Sequence, residues 1–231
     1  NAALMEYDPT IKKDAWLNYA KLSYEIGNPY QSVPDVLKEY LDLYPKTDAK
    51  AEIEDLLISA YITSKDYQGA LDALKGFKDN ANKALYQKVA LYRGIQLFND
   101  EDLDQAKANF EIAINEPLDN TTAARAEFWK SEVDYLNGNY TEALNGYKKF
   151  ENMAKSDTIA EIQEAKYALG YTYFKLKDYD NSRQAFQSYI DSKPGDEEKV
   201  DDSYIRLGDS YYASSNYNKA IPAYDKVIQH E

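Results

Sequence analysis

Few groups in this chain could do covalent or metal chemistry, and the nearest arrangement is Asp100-x-Asp102-x-Asp104…Glu111. These carboxylates fall at positions 1, 3, 5 and 12 of a calcium-binding loop of the helix–loop–helix kind, where hard oxygen donors wrap one ion. Position 6 of such a loop needs glycine for its sharp turn, and here it is Gln105. The chain has no cysteine and a single histidine, His230, beside the C-terminus. Thiolate nucleophiles, disulfides and cysteine-based zinc sites are excluded, and a His-based metal site lacks its second imidazole. A terminal histidine also has no pocket in which to build a Ser-His-Asp array. No G-x-G-x-x-G and no phosphate loop occurs. Carboxylates are spread along the whole chain, so no single pair stands out as acid and base. The expectation is a protein that is not an enzyme and needs no cofactor or metal.

Charge points the same way. Lys and Arg number 27 against 40 Asp and Glu, a net charge of −13. Binding phosphates draws on clustered basic side chains, so nucleic acid is not an expected partner. A basic or amphipathic protein segment is compatible. No apolar run approaches the ~20 residues of a membrane span. Hydrophobic residues make up 44 % of the chain, while Gly and Pro together number only 16, 9 of the first and 7 of the second. That supplies a core but too few turn residues for an all-β fold. The 23 tyrosines suit half-buried helix faces, with the ring packed and the hydroxyl bonded or wet.

The elements that position these residues emerge from an internal repeat. Asp or Asn, then Tyr or Leu, then a small residue recur as Asp66-Tyr67…Ala70, Asp102-Leu103…Ala106, Asn139-Tyr140…Ala143, Asp178-Tyr179…Ser182 and Asn216-Tyr217…Ala220. A looser copy is Asn28, Tyr30 and Val33. From Val33 the small positions advance by 37, 36, 37, 39 and 38 residues. Upstream of each lies a helical stretch, as in Tyr204, Leu207, Gly208 and Tyr211, which share one face at spacings of three and four. Gly94, Gly170 and Gly208 let a second helix come close, with Ala20 and Ser131 as small substitutes. The Asp or Asn caps that second helix, and Asn139…Glu142 and Asp102…Gln105 fit the reciprocal capping pattern. The second helix pairs a small residue with a larger one four later: Ala70/Leu74, Ala106/Phe110, Ala143/Tyr147, Ser182/Phe186 and Ala220/Tyr224. The small residue lets the first helix nest, and the large one fills the space beyond. The pattern makes Asp102 a cap and Leu103 to Phe110 a helix, which could not wrap an ion. Pro45, Pro117 and Pro194 stop three second helices. Pro34 predicts a late start for one helix, and Pro222 a kink or delayed start for another.

Tyr204-x-x-Leu207-Gly208-x-x-Tyr211 followed by Ala220 and Tyr224 resembles the tetratricopeptide repeat, as does Leu169-Gly170-x-x-Tyr173 followed by Phe186 and Pro194. In that family helix A carries a large residue, Leu, Gly and Tyr, and helix B carries Ala, an aromatic and Ala. The resemblance covers nearly the whole chain, with residues 11–46 and 120–157 departing furthest. It implies an all-α, right-handed α-solenoid of about six helix–turn–helix repeats, one array over 1–231. The repeats would run over 11–46, 47–82, 83–119, 120–157, 158–197 and 198–231. Residues 1–10 would be the tail of a preceding repeat closing at Pro9, with Trp16 opening the next helix A. Arrays need polar caps at their ends, so the expectation is an excerpt of a longer solenoid, able to self-associate through exposed ends. The spacing of 36 to 39 exceeds the family's usual period of 34. This long form is similar to repeats of TolA-binding-protein and outer-membrane-assembly lipoproteins. It implies a periplasmic or cell-envelope location, with the cytoplasm as the alternative.

In this family helix A lines a concave face, and the positions opposite Leu, Gly and Tyr would meet a partner. Phe128, Glu132, Tyr135, Glu164, Tyr167, Tyr171, Phe174, Asp209 and Tyr212 are the candidate partner-binding residues. Aromatic anchors are favoured at binding hot spots, and the acids among them favour a basic or amphipathic segment. Tyr135, Phe174 and Tyr212 share one repeat position, where an aromatic also serves packing between neighbouring repeats. The family's clamp for peptide carboxylates uses Lys, Asn and Arg, and here those places mostly hold Glu, Asp or aromatics. The implied function is a protein-interaction scaffold, part of a larger envelope-associated repeat protein. The alternative is a structural spacer or self-assembly element with no external ligand in the groove.

Overall fold

The computed structural model describes residues 8–75, 80–115, 118–154 and 159–228. Among these residues there are twelve α-helices and no strand. In chain order they are α1 (Pro9–Ile26), α2 (Val33–Leu43), α3 (Lys50–Thr63), α4 (Tyr67–Leu74), α5 (Asn80–Asn99), α6 (Leu103–Asn115), α7 (Asn120–Leu136), α8 (Tyr140–Met153), α9 (Glu161–Lys175), α10 (Tyr179–Asp191), α11 (Glu197–Ala213) and α12 (Tyr217–Ile228). Odd-numbered helices are the A helices of the repeats and even-numbered ones the B helices. The chain divides into two compact units, Asn1–Arg93 and Gly94–Glu231.

In the first unit α1 packs on α2, α2 on α3 and α3 on α4, and α1 also touches α3. Its core gathers Trp16, Ala20, Val36, Leu37, Tyr40, Ile53, Leu57 and Ala60. Tyr40 is fully buried, and its hydroxyl is satisfied by Thr47 Oγ1 at 2.8 Å. In the second unit each helix from α6 to α12 packs on the next, and the A helices touch one another, α7 on α9 and α9 on α11. This is the nearest-neighbour stacking of an α-solenoid. Lys107 on α6 reaches the buried carboxylate of Asp134 on α7 at 2.6 Å, and that hydrogen bond holds the ammonium above the usual lysine range.

Five of the A-to-B turns are one structure repeated. Lys65, Glu101, Gly138, Lys177 and Ser215 all take positive φ, between 58° and 77°. Each stands just before the Asp or Asn that opens helix B. The N–H of that next residue returns to the carbonyl five positions earlier: Asp66 to Tyr61 (2.9 Å), Asp102 to Leu97 (2.9 Å), Asn139 to Asp134 (2.8 Å), Asp178 to Tyr173 (2.9 Å) and Asn216 to Tyr211 (2.8 Å). This is the Schellman helix ending, which satisfies carbonyls left free at the helix terminus.

The turn corrects the capping expectation. Asp66 accepts from Gly69 N at 2.9 Å, Asp102 from Gln105 N at 3.3 Å and Asp178 from Asn181 N at 3.3 Å. Asn139 makes no side-chain cap bond. A reciprocal box needs the cap residue's own N–H, and in Asn139 and Asp102 that N–H is already given to the preceding helix. Glu142 and Gln105 therefore have no backbone donor to take. As the repeat requires, Asp102 caps α6 and Asp104 and Glu111 lie within that helix.

Close helix approach follows the expected glycines. A Cβ on Gly170 would lie 2.7 Å from the ring of the fully buried Phe186, and Gly94 and Gly208 face Phe110 and Tyr224 in the same way. In α7 and α8 the roles are exchanged: Ser131 occupies the small place on the A helix, and Gly146 on the B helix makes room for its hydroxyl.

The prolines divide. Ser32 caps α2 through Asp35 N, with Pro34 in the first turn, and α2 and α10 end just before Pro45 and Pro194. Pro9 opens α1 instead of closing a helix: Asp8 accepts from Thr10 N at 2.8 Å, and proline at the first helical position forfeits only an N–H that has no helical partner. Trp16 is accordingly a buried residue in the middle of α1, not its start. Pro222 lies inside α12, which starts without delay at Tyr217. Leu4, Pro117 and His230 lie outside the described residues.

Candidate functional site

The second unit holds a hollow of about 730 Å³ bounded by α7, α8 and α9. Six of the nine candidate residues line it: Phe128, Glu132 and Tyr135 from α7, and Glu164, Tyr167 and Tyr171 from α9. The three- and four-residue spacing of each set keeps its side chains on one helix face. Trp129, Tyr147, Ala160, Glu161 and Ala168 complete the lining.

The rings pack in two sets, one on α7 and α8 and one on α9 and α10. Phe128 is only 4 % exposed and makes edge contacts with Trp129 at 5.5 Å, so it belongs to the core as much as to the surface. It also packs on Tyr147 and Phe150, at 5.9 and 5.5 Å. Tyr167 meets Tyr171 edge-on at 5.1 Å and leans on Tyr189 at 5.2 Å. The hydroxyl of Tyr167 donates to Asp202 Oδ2 at 2.8 Å, and Tyr171 donates to the same oxygen. Burial raises the pKa of both phenols, and the hydrogen bonding with Asp202 adds to it.

Three carboxylates stand among these rings, each differently held. Glu132 accepts from the Tyr147 hydroxyl at 2.7 Å. Burial pushes Glu132 above the usual carboxylate range, against the opposing pull of that bond. Glu164 is paired through both oxygens with Lys199 on α11, at 2.8 Å. Glu161 is only 5 % exposed. Its Oε1 accepts from Arg125 Nε at 2.8 Å and from Trp129 Nε1 at 3.2 Å. Its Oε2 is buried and has no hydrogen-bond partner among the described residues.

The other three candidates are drawn away. Asp209 is engaged by Arg206 and by the Tyr224 hydroxyl, 2.9 Å from Oδ1. Phe174 packs edge-on against Tyr179 at 5.5 Å, and Tyr212, 62 % exposed, against Tyr217 at 5.2 Å. Tyr135 makes the same contact with Tyr140 at 5.3 Å, and burial pushes its phenol up to about 12. These pairs span the A-to-B turn of a single repeat, and Tyr135 also borders the next repeat by lining the hollow with α9.

Trp129, Tyr147 and Glu161 are not among the partner-binding candidates read from the sequence. Tyr147 reads as the large filler of its own repeat, and Glu161 falls in the first turn of α9, ahead of the consensus positions. Trp129, one residue beyond Phe128, was the available signal. Among the described residues no group of His, Cys, Asp or Glu is arranged to hold a metal ion, and no helix is long and apolar enough to cross a membrane.

Comparison with known proteins agrees with this architecture. The family model described as tetratricopeptide repeat matches residues 163–196 and 201–229. No curated protein matches the chain in sequence. Among solved structures, MamA is 18 % identical at a TM-score of 0.59, covering 79 % of this chain and 92 % of its own. BtubC (BKLC) from P. vanneervenii is 13 % identical at 0.58, covering 94 % and 90 %. The C-terminal part of a TPR repeat-containing protein from Cytophaga hutchinsonii is 18 % identical at 0.53, covering 92 % and 78 %. At these identities the likeness is one of fold. Residues 163–196 and 201–229 are tetratricopeptide repeats by sequence, and the chain has the fold of the tetratricopeptide-repeat proteins.

Proposed function

We propose that this protein is an interaction scaffold whose second unit takes a protein or peptide segment in the hollow between α7, α8 and α9. The carrying observation is the hollow itself: about 730 Å³, walled by six aromatic rings and three carboxylates. That volume lies in the range of sites that enclose a ligand. Large rings with few degrees of freedom are the side chains that dominate binding energy. Tetratricopeptide repeats are typically non-enzymatic, and the site's polar groups suit recognition better than catalysis. The long repeat spacing and polar inter-repeat loops favour a cell-envelope address, which fractionation of the native host tests.

A peptide array probed with the whole chain, followed by affinity measurement on the captured segments, tests the binding reading. Ala168→Trp fills the hollow, and Glu132→Lys places a positive charge in it while removing the acceptor of the Tyr147 hydroxyl. Both should weaken captured segments at least tenfold with helicity unchanged. Equal binding to both variants would move the site elsewhere. Capture of nothing would favour the structural-spacer reading.

A further inference from the structure

We propose that the hollow receives a large apolar side chain of the bound segment, phenylalanine or leucine in kind, and takes no charged group from it. This rests on the scaffold reading above and adds the chemistry of the ligand. Of the basic or amphipathic segment expected from the sequence, it selects the apolar face.

The charges of two lining carboxylates are answered within the chain. Glu164 holds Lys199 through both oxygens at 2.8 Å. Glu161 holds Arg125 at 2.8 Å and takes the indole N–H of Trp129 at 3.2 Å, while its second oxygen is sealed from any occupant. Neither is left to recruit a cation, and no basic residue lines the hollow to recruit an anion. A charged side chain entering here would shed its water against a wall whose charges are already paired, which is unfavourable.

The polar ends of the rings are engaged as well. Tyr147 donates to Glu132, and Tyr167 and Tyr171 donate to Asp202 on α11. What these side chains still offer is ring surface, joined by Phe128 and by the methyl groups of Ala160 and Ala168. The same rings already pack on apolar rings of the B helices. Tyr167 and Tyr171 meet Phe186 edge-on at 6.0 and 5.3 Å, and Phe128 meets Phe150 at 5.5 Å. An apolar side chain from outside extends a packing these residues already make, in geometries that aromatic rings favour.

Glu132 is the remaining carboxylate, with no salt bridge to a cation among the described residues. Burial raises its pKa, the Tyr147 bond lowers it, and the charges of Glu164 and Lys199 oppose one another; the balance is upward. The phenols of Tyr135 and Tyr147 are raised by burial too and stay protonated. An apolar occupant withdraws more water from Glu132 and so favours its neutral form further. Binding therefore takes up a proton, and affinity falls as pH rises through the range of Glu132.

The test uses the whole chain and one peptide captured on the array, acetylated, amidated and otherwise free of Asp, Glu and His. Alanine substitution along the peptide locates its strongest anchor, which is then made phenylalanine, leucine, serine, lysine or glutamate. Isothermal titration should place phenylalanine and leucine about tenfold or more above serine, the effect of burying one such side chain. Lysine and glutamate should bind no tighter than serine, and Ala168→Trp should erase the ranking. From pH 7.5 to pH 5.5 the native chain should gain about threefold or more for the phenylalanine peptide. Glu132→Gln, neutral throughout and still able to accept from Tyr147, should bind that peptide about threefold tighter at pH 7.5 and stay within about twofold across the range. Circular dichroism melting checks the fold of both variants. If Glu132→Gln fails to fold, the five-peptide ranking and the native pH series decide alone. Lysine binding as tightly as phenylalanine, or native binding that does not change with pH, would overturn the apolar inference and leave the scaffold reading standing. Peptide binding that Ala168→Trp does not weaken, or an array that captures nothing, would overturn both. N-acetyl-phenylalanine methylamide alone should bind far more weakly than the peptide; equal affinity would assign the hollow to a small apolar molecule and overturn the proposal.

Discussion

The hydroxyl of Tyr167 on α9 donates to Asp202 Oδ2 on α11 across 2.8 Å, and Tyr171 donates to that same oxygen. One carboxylate from the next repeat thus fixes two rings of the hollow. Its other oxygen takes Arg206 Nε at 3.3 Å. Asp202→Asn keeps an acceptor but loses the charge, and should cost about 1–2 kcal/mol, because neutral acceptors hold hydrogen bonds roughly half as strongly as ionised ones. Chemical denaturation measures the loss. Hydrogen exchange should quicken in α9 and α11 before α7. Unchanged stability and exchange would mean that the two phenols are held by ring packing alone.

The repeated Schellman turn makes a prediction of opposite sign at neighbouring repeats. Lys65, Glu101, Lys177 and Ser215 hold left-handed backbone that costs an L-residue with a Cβ about 1–2 kcal/mol, partly recovered by the chain freedom glycine would lose. Each change to glycine should therefore stabilise by about 0.5–1 kcal/mol. Gly138 is already the residue that a φ of 77° favours, and a Cβ added there would meet nothing within 4 Å beyond its chain neighbours. Gly138→Ala should destabilise by about 1 kcal/mol from backbone strain alone. Thermal unfolding of Lys177→Gly and Gly138→Ala settles the matter, because shifts of the same sign contradict the turn.

Gly170→Ala sets helix propensity against packing. Alanine in a helix interior is favoured over glycine by about 0.5–1 kcal/mol. Here the new methyl would meet the buried Phe186 ring at 2.7 Å, and overpacking of that kind costs about 1–3 kcal/mol. A net loss of about 1–2 kcal/mol is expected. Phe186→Leu should offset part of it, with a coupling above about 0.5 kcal/mol in a double-mutant cycle. Gly195→Ala, in open space, should stay within about 0.5 kcal/mol. A stabilised Gly170→Ala would show that the two helices are not in contact there.

What the sequence made legible was what recurs. Small-then-large pairs such as Ser182/Phe186 repeat at fixed spacing, and the close approach of their helices follows from size alone. The left-handed residue at each turn left no such trace. Lys65, Glu101, Lys177 and Ser215 share no side-chain chemistry; only the backbone bonds of the turn are common to them. The binding face was partly readable because helical spacing fixes which residues look the same way, as it does for Phe128, Glu132 and Tyr135. It could not show that Asp209 is claimed by Arg206 and Tyr224, since pairing depends on rotamers and on a helix that returns from across the turn. Nor could it mark Glu161, whose importance comes from being sealed beside Arg125, 36 residues earlier in the chain.

The exchanged roles of Ser131 and Gly146 limit how this array can be recombined. In α9 and α10 the bare backbone belongs to the first helix and the ring to the second; in α7 and α8 a hydroxyl on the first enters a gap on the second. An α7 joined to α10 would set Ser131 against Ala185, whose methyl would occupy the space that Gly146 leaves open. Chimaeras cut in the loops between repeats keep each lock with its key, whereas those cut at the tight turns mate mismatched halves. The heritable module here is the helix pair, and its two members are not interchangeable parts.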